Sequence, residues 1–350
     1  MKTLMIIKRS FLCLSLTTTL CASAHADRVN VKTWNSDPAL NAKGDGIADD
    51  APNIQLAINS LTSGGTLYIP AGKYKLGATV NTGRYYFTHY ALTLTTPNIT
   101  IRGDGPASLL LQTNCTTTLL FANFWNSSTA GLTIEDIKFQ GDTNSDYSAP
   151  VDVNDSGEML VCAGRSRADG WSKYLRIKNV CVDDQGMRWP FQIMGMDDVV
   201  VEGCRFIHYA FPNATRGVGY PSIFSSSVGL GSFKLLNNYF DGGVDGTTMS
   251  YGADGLVYEQ TGEETVISDN IINNYKLEGV QCGARHQTIT GNTFKTPSVG
   301  STAMGHCAIS ITPSSGWTGW GLTNIQLVVA NNIQDGGPNY HGYGGRGNLL

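Results

Sequence analysis

The chain carries little charge and no run of basic residues: Asp, Glu, Lys and Arg make up only 15% of its 350 residues, and the net charge is −4. Nucleic acid is thereby excluded as a natural partner, because phosphate recognition needs a clustered basic surface. Past the N-terminus no apolar run approaches the ~18 residues that span a bilayer, so no membrane span is expected. Hairpin-type turn signals between neighbouring strands are sparse, which argues against a β-sandwich or a propeller. The cysteines match no common zinc spacing, and no metal ligand set stands out. Six of the eight lie past residue 26, at Cys115, Cys162, Cys181, Cys204, Cys282 and Cys307. Their spacing does not say which of them pair.

What is present begins with a leader. Lys2, Lys8 and Arg9 precede an apolar stretch from Phe11 to Leu20, and Ala24-His25-Ala26 forms a small-x-small cleavage site. Residues 1–26 therefore read as a signal peptide and residues 27–350 as one mature domain, secreted or periplasmic, in a compartment that permits disulfides.

A weak unit recurs along that domain, an aliphatic residue followed five positions later by another apolar residue, with polar residues and often Asn between. It starts at Ile134, Ile177, Val201, Leu235, Ile267, Ile289 and Val328, and ends at Phe139, Val182, Phe206, Phe240, Ile272, Phe294 and Ile333. The shortest separations define one coil of a solenoid, and the longer ones imply loops inserted on a constant scaffold. Asn at a recurrent corner tolerates a left-handed backbone and can form side-chain ladders between coils. High glycine, 41 residues, suits many tight corners. A second strand precedes most of these units, beginning at Trp189, Ser222, Asp254, Glu278 and Cys307. Stacked as one sheet, those first residues are expected to form a column with neighbours about 4.8 Å apart.

The stretch Gly44 to Tyr74 has its own local logic. Gly44 and Gly46 suit a tight turn, Asp50 reads as an N-cap with Pro52 just inside a helix, and Ile54, Ala57, Ile58 and Leu61 give that helix an apolar face. The pattern then switches to a strand, Thr66 to Ile69, and a turn at Pro70-Ala71-Gly72 leads into a second strand ending at Leu76. Asp45, Asp49 and Asp50 read as turn and cap residues. These thirty residues resemble the entrance motif of the pectate-lyase-like superfamily, the rhamnogalacturonase/epimerase-like right-handed parallel β-helices. The resemblance implies an all-β solenoid with a short N-terminal capping helix, and a protein that acts on polysaccharides.

The chemistry-bearing residues gather on the coils that follow. Asp254 and Glu278 are expected on adjacent coils, where two carboxylates could share a proton, divide into acid and base, or hold a metal. Exposed corner residues satisfied by backbone amides are the plainer reading. One coil further comes Gly305-His306-Cys307. The order is similar to that of the polygalacturonase-like glycosidases, which carry Asn-Thr-Asp, Asp-Asp and Gly-His-Gly on successive coils. That resemblance implies catalytic roles for Asp254, Glu278 and His306. The match is partial, because Leu277 stands where one acid belongs and no Arg-x-Lys follows. Tyr251 to Gly255, followed by Glu259-Gln260-Thr261, is loosely similar to mannuronan epimerases, without their Asp-Pro-His.

Elimination or epimerisation of a uronate needs a base and a neutraliser of the substrate carboxylate, for which Tyr251, Tyr258, Lys276, Arg285 and His286, or calcium, are available. Asp184 with Arg188 and Trp189 forms a candidate sugar subsite, and the alternative for Asp183-Asp184 is a salt-bridged loop. Asp241 and Asp245 are weak calcium candidates. Trp317 and Trp320 lie in a Gly-rich insertion and read as a lid or a loop anchor. The expected function is cleavage, by hydrolysis or β-elimination, of a uronate-containing polysaccharide such as pectin. The alternative is a non-catalytic carbohydrate-binding or cell-surface structural protein. No amphipathic cap follows the last repeat, so a loop, a partner or a further segment is expected to cover that end.

Overall fold

The computed structural model describes residues 28–77, 80–81, 89–113, 117–141, 159–165, 167–184, 191–208, 223–225, 230–241, 255–259, 262–273, 278–282, 284–295, 307–311, 326–335 and 347–348. Residues 1–26, the expected leader, lie outside them.

The protein is a right-handed parallel β-helix. Among the described residues there are three sheets of ten strands each, and successive coils contribute one strand to each sheet in turn. The first sheet runs from Arg28–Asn30 to Gln326–Ala330, the second from Asp45–Asp49 to Ile333–Asp335, and the third from Val80–Asn81 to Gly347–Asn348. Pairing is parallel except at the two flanks of the third sheet, where Val80–Asn81 and Gly347–Asn348 lie antiparallel to their neighbours. Among the described residues no helix is long and apolar enough to cross a membrane.

Alternation drives the packing: inward residues of the three sheets meet in one continuous core. The repeat unit supplies it from two corners at once. Ile134 with Phe139, Ile177 with Val182, and Leu235 with Phe240 are all fully buried. Phe139, Phe191, Phe206 and Phe240 form an aromatic file through the core, edge to face in its first two contacts and stacked at 4.8 Å in the last.

From Glu135 onward the first and second sheets are joined by two residues only. The first adopts a left-handed backbone in every coil: Asp136, Asn179, Gly203, Asn237, Asp269, Gly291 and Asn331 all have φ between 52° and 68°. Asp, Asn and Gly are the residue types that enter this region at least cost. The second residue points inward, and over the last four coils it is Asn238, Asn270, Asn292 and Asn332. Each amide oxygen accepts the backbone N–H of the preceding rung at 2.8–3.0 Å. Each amide nitrogen donates to a first-sheet carbonyl one coil back, of Val201, Leu235, Ile267 and Ile289. The expected ladder is therefore present. Cys204 occupies the next rung, its N–H bound to Asn238 and its thiol directed at the Ile177 carbonyl, 3.6 Å away.

Two sequence expectations are corrected by this register. The seventh repeat unit begins at Val329, not Val328: Val329 pairs with Ile289 and Gln334 with Phe294. The doublet Asn331-Asn332 displaces the unit by one, so Val328 and Ile333 are exposed. Asp50 stands before the helix Ala51–Asn59 as expected, but makes no side-chain cap bond. Its buried carboxylate instead accepts the N–H groups of Lys43 and Gly44 at 2.6 and 3.0 Å, closing the preceding turn. Burial nevertheless holds its carboxyl above the usual range. Ala51 N–H turns to Asp49.

The helix buries Ile54, Ala57 and Ile58 in the common core. In the first coil it stands beside the third sheet, where the Gln55 side chain hydrogen-bonds both the N–H and the C=O of Thr93. The free side of strand His89–Leu94 is thus occupied by Gln55 and by Val80–Asn81.

Cys162, Cys181 and Cys204 are free thiols. Burial pushes Cys204 up to about 12 and lifts Cys162 further. Cys115 lies outside the described residues.

Candidate functional site

Connections into the third sheet are long where those into the second are short. They run between Gln140 and Leu160, Asp184 and Phe191, His208 and Ile223, Asp241 and Gly255, and Lys295 and Cys307. The third sheet is therefore the one that receives the variable loops.

Its register defines two kinds of column. Leu120, Leu160, Phe191, Ile223, Val257, Val280 and Ile309 align, and every member with a described side chain is in the core. One residue further along the strands, Thr93, Phe121, Val161, Gln192, Phe224, Tyr258, Gln281 and Ser310 align. Phe121 and Val161 join Tyr90, Ala163 and Met194 in a second apolar cluster, separate from the core. This sheet is buried on both faces in its early coils, which is why its strands read as apolar runs rather than alternating ones. Tyr90 and Phe121 have ring centroids 5.2 Å apart, and Trp125 meets Phe121 edge-on at 6.4 Å. Gln192, nearly buried on the same face, has a side-chain oxygen without a hydrogen-bond partner. Sequence reasoning missed this cluster; the uninterrupted run Thr118 to Ala122 was its signal.

The candidate acids are placed as follows. Glu278 opens its strand and pairs in register with Gly255 and Cys307. The expected column of Asp254 with Glu278 is thus out by one, because Gly255 and not Asp254 stands opposite. Glu278 and Gly255 occupy the strand position that Tyr90 and Thr118 hold at the other end of the sheet, two before the core residue. Gly279, next to Glu278, has no room for a side chain: a Cβ would lie 2.7 Å from the Phe294 ring and 2.8 Å from the Ala308 carbonyl. Tyr258 lies on the neighbouring strand opposite Gln281. Asp254, His306, Tyr251, Arg188 and Trp189 lie outside the described residues, as do Lys276, Asp245, Trp317 and Trp320.

Arg285 and His286 belong elsewhere. His286 starts the first-sheet strand His286–Thr290 and Arg285 directly precedes it, past the end of Glu278–Cys282, so a whole strand of about 13 Å separates them from Glu278. Arg285 faces Glu263 at 3.5 Å, and His286 Nδ1 lies 3.0 Å from Gln326 Oε1. Asp184 ends a second-sheet strand opposite His208. Its neighbour Asp183 binds Lys138 Nζ at 2.9 Å, in keeping with the salt-bridge reading of this pair. Asp241 accepts the Tyr239 hydroxyl at 3.0 Å. Among the described residues no group of three or more His, Cys, Asp or Glu is arranged to hold a metal ion.

Residues 38–137 match the family model described as Rhamnogalacturonase A/epimerase, pectate lyase-like. Over these residues the chain is similar to that family, and the β-helix continues past them. A curated relative, plasmin and fibronectin-binding protein A of Streptococcus pneumoniae, is 25% identical over 306 residues, 77% of this chain. The chain spans only 41% of that relative's length. Among solved structures, PfbA, a surface adhesin of Streptococcus pneumoniae, superposes with a TM-score of 0.53 at 19% identity, over 89% of this chain and 72% of that one. A family 28 exopolygalacturonase of Yersinia enterocolitica gives 0.50 at 14% identity, over 92% and 67%. Both structural likenesses speak to the fold alone.

Proposed function

We propose that the protein is an exported polysaccharide-active enzyme that cleaves a uronate-containing chain such as pectin across the outer side of the third sheet. Asp254, Glu278 and His306 are its ionisable set. The outer side of that sheet would be its groove, with Arg188, Trp189, Asp184, Tyr251 and Tyr258 as the candidate substrate-binding residues. The observation that supports this reading is the register: Glu278 and Tyr258, on neighbouring strands, fall on the two columns whose early members Tyr90 and Phe121 form the outer cluster. In hydrolysis one carboxyl protonates the departing glycosidic oxygen while the other draws a proton from water as it attacks the anomeric carbon. In elimination a base takes the proton beside the uronate carboxylate, whose charge a cation such as calcium balances.

Incubating the mature protein with acidic and neutral polysaccharides, with and without calcium, decides the matter. New reducing ends alone mean hydrolysis; unsaturated uronates in addition mean elimination. Silence across the panel defeats the proposal.

The relative named for binding plasmin and fibronectin favours a second reading, a non-catalytic surface binder. Retention on immobilised plasmin or fibronectin, with no product from any polysaccharide, is its signature.

A further inference from the structure

Two large aromatic side chains are exposed at the corner where the third sheet passes into the first. Trp125 is 41% exposed and Tyr174 50%. They come from consecutive coils, and the segments that carry them are laced together. Ser172 Oγ donates to the carbonyl oxygens of Phe124 and Ser127, at 3.1 and 2.6 Å, and the Lys173 N–H donates to Ser128 O at 3.2 Å. Each aromatic thus lies within two residues of one hydrogen-bonded seam. Trp125 is steadied from below by its edge contact with the nearly buried Phe121.

The backbone of Tyr174 is unusual. Its φ is +70°, and the residues that hold the corresponding left-handed position in neighbouring coils are Asn98, Gly131 and Asp198, with φ of 59°, 54° and 53°. Register confirms the alignment: Leu132 pairs with Leu175, and Lys173 with Asp197. Short polar residues or glycine serve this position elsewhere. An aromatic residue here is strained, and half-exposed as it is, burial offsets little of the strain.

The surroundings indicate what such a side chain is for. Trp125 and Tyr174 are separated by polar groups, Ser127, Ser128 and Lys173, and do not form a continuous apolar patch of the kind a protein interface core requires. Charges on either side of Tyr174 in its strand are paired: Lys173 with Asp197 at 3.7 Å and Arg176 with Asp198 at 2.7 Å. Flat aromatic faces among neutralised, hydrogen-bonding groups fit the C–H face of a sugar ring with its hydroxyls directed sideways.

We propose that Trp125 and Tyr174 form a binding site for neutral polysaccharide on this corner, distinct from the third-sheet groove and independent of whether that groove performs catalysis. The site would hold a chain beside the solenoid by stacking, without selecting for carboxylates.

The test is affinity electrophoresis through gels containing galactan, arabinan, xyloglucan, mixed-linkage β-glucan or polygalacturonate, with Trp125→Ala, Tyr174→Asn and the unaltered protein. The expected result is retardation by at least one neutral polysaccharide, weakened about tenfold by either substitution, the loss of one stacking contact of ~1.4 kcal/mol. Tyr174→Asn should at the same time keep or raise Tm by about 2 °C, since Asn relieves the backbone. Cleavage of polygalacturonate, where present, should be unchanged in both variants, so failure of the groove reading is scored separately. Three results each overturn the proposal: no neutral polysaccharide retards the protein, both variants bind as before, or Tyr174→Asn lowers Tm and thereby shows Tyr174 to be structural.

Discussion

The turn from the first to the second sheet and the connection from the second to the third belong to the same coils. From Glu135 onward the former holds two residues throughout, whereas the latter runs from four, between Asn273 and Glu278, to nineteen, between Gln140 and Leu160. Over the last four coils the short turn is stitched to its neighbours by the asparagine rungs, so any change of length there would break hydrogen bonds. The long connections lie almost wholly outside the described residues, and their lengths vary from coil to coil. Structure is concentrated at one corner of the coil and variation in length at another, the kind of segment on which binding and catalytic residues are most often carried.

This contrast can be broken at either corner. The largest effect is expected at the variable one: if the groove is catalytic, Asp254→Ala or Glu278→Gln should lower turnover at least ~10³-fold, about 4 kcal/mol, while circular-dichroism melting stays within about 2 °C of the parent. At the constant corner the effects should fall on stability alone. Phe240→Ala removes one ring of the stacked pair with Phe206 and should cost about 4 kcal/mol in urea denaturation. Asn270→Ala leaves the buried N–H of Asn238 and the Leu235 carbonyl without partners and should cost about 3 kcal/mol. Cys204→Asn, which extends the ladder by one rung, should leave Tm within about 2 °C.

Proton linkage sharpens the same point. Cys204 titrates near 12 in the fold against an ordinary thiol value of 9.0, because burial disfavours the thiolate. Between those values the folded chain holds a proton that the unfolded chain has lost. Its contribution to stability is therefore complete below pH 9 and is lost as pH rises toward 12. Equilibrium unfolding at pH 8 and pH 10.5 should show the decline, and Cys204→Ala should make it shallower. Cys204 should also resist thiol reagents at pH 8 until denaturant is added.

The constant corner was legible in the sequence because its chemistry is local. A left-handed Asn or Asp followed by an inward Asn is written in consecutive letters, as in Asn237-Asn238 or Asp269-Asn270. Where the text failed it did so by one residue. At the last unit, apolar Val328 and Ile333 matched the pattern, but hydrogen bonding follows Asn332 and shifts the register. The third sheet misled for a different reason. Its register is transmitted through the other two sheets, and loops of unequal length erase any sequence mark of it. Taking Asp254 and Glu278 as the first residues of successive strands aligns the two, whereas Gly255 is the residue opposite Glu278. Arg285 and His286 are close to Glu278 in sequence yet open another sheet. The outer cluster around Phe121 went unseen because a strand buried on both faces has no alternation to read.

The Gln55 amide that holds both polar groups of the Thr93 peptide also bears on the order of assembly. A solenoid built coil by coil offers two growing ends, and an unguarded first end could recruit a strand from another chain before the correct one arrives. With one end closed by the helix and its glutamine, each new coil meets a single template, the coil just completed. Wherever folding nucleates, propagation that reaches this strand stops there, and further coils add toward the C-terminal side.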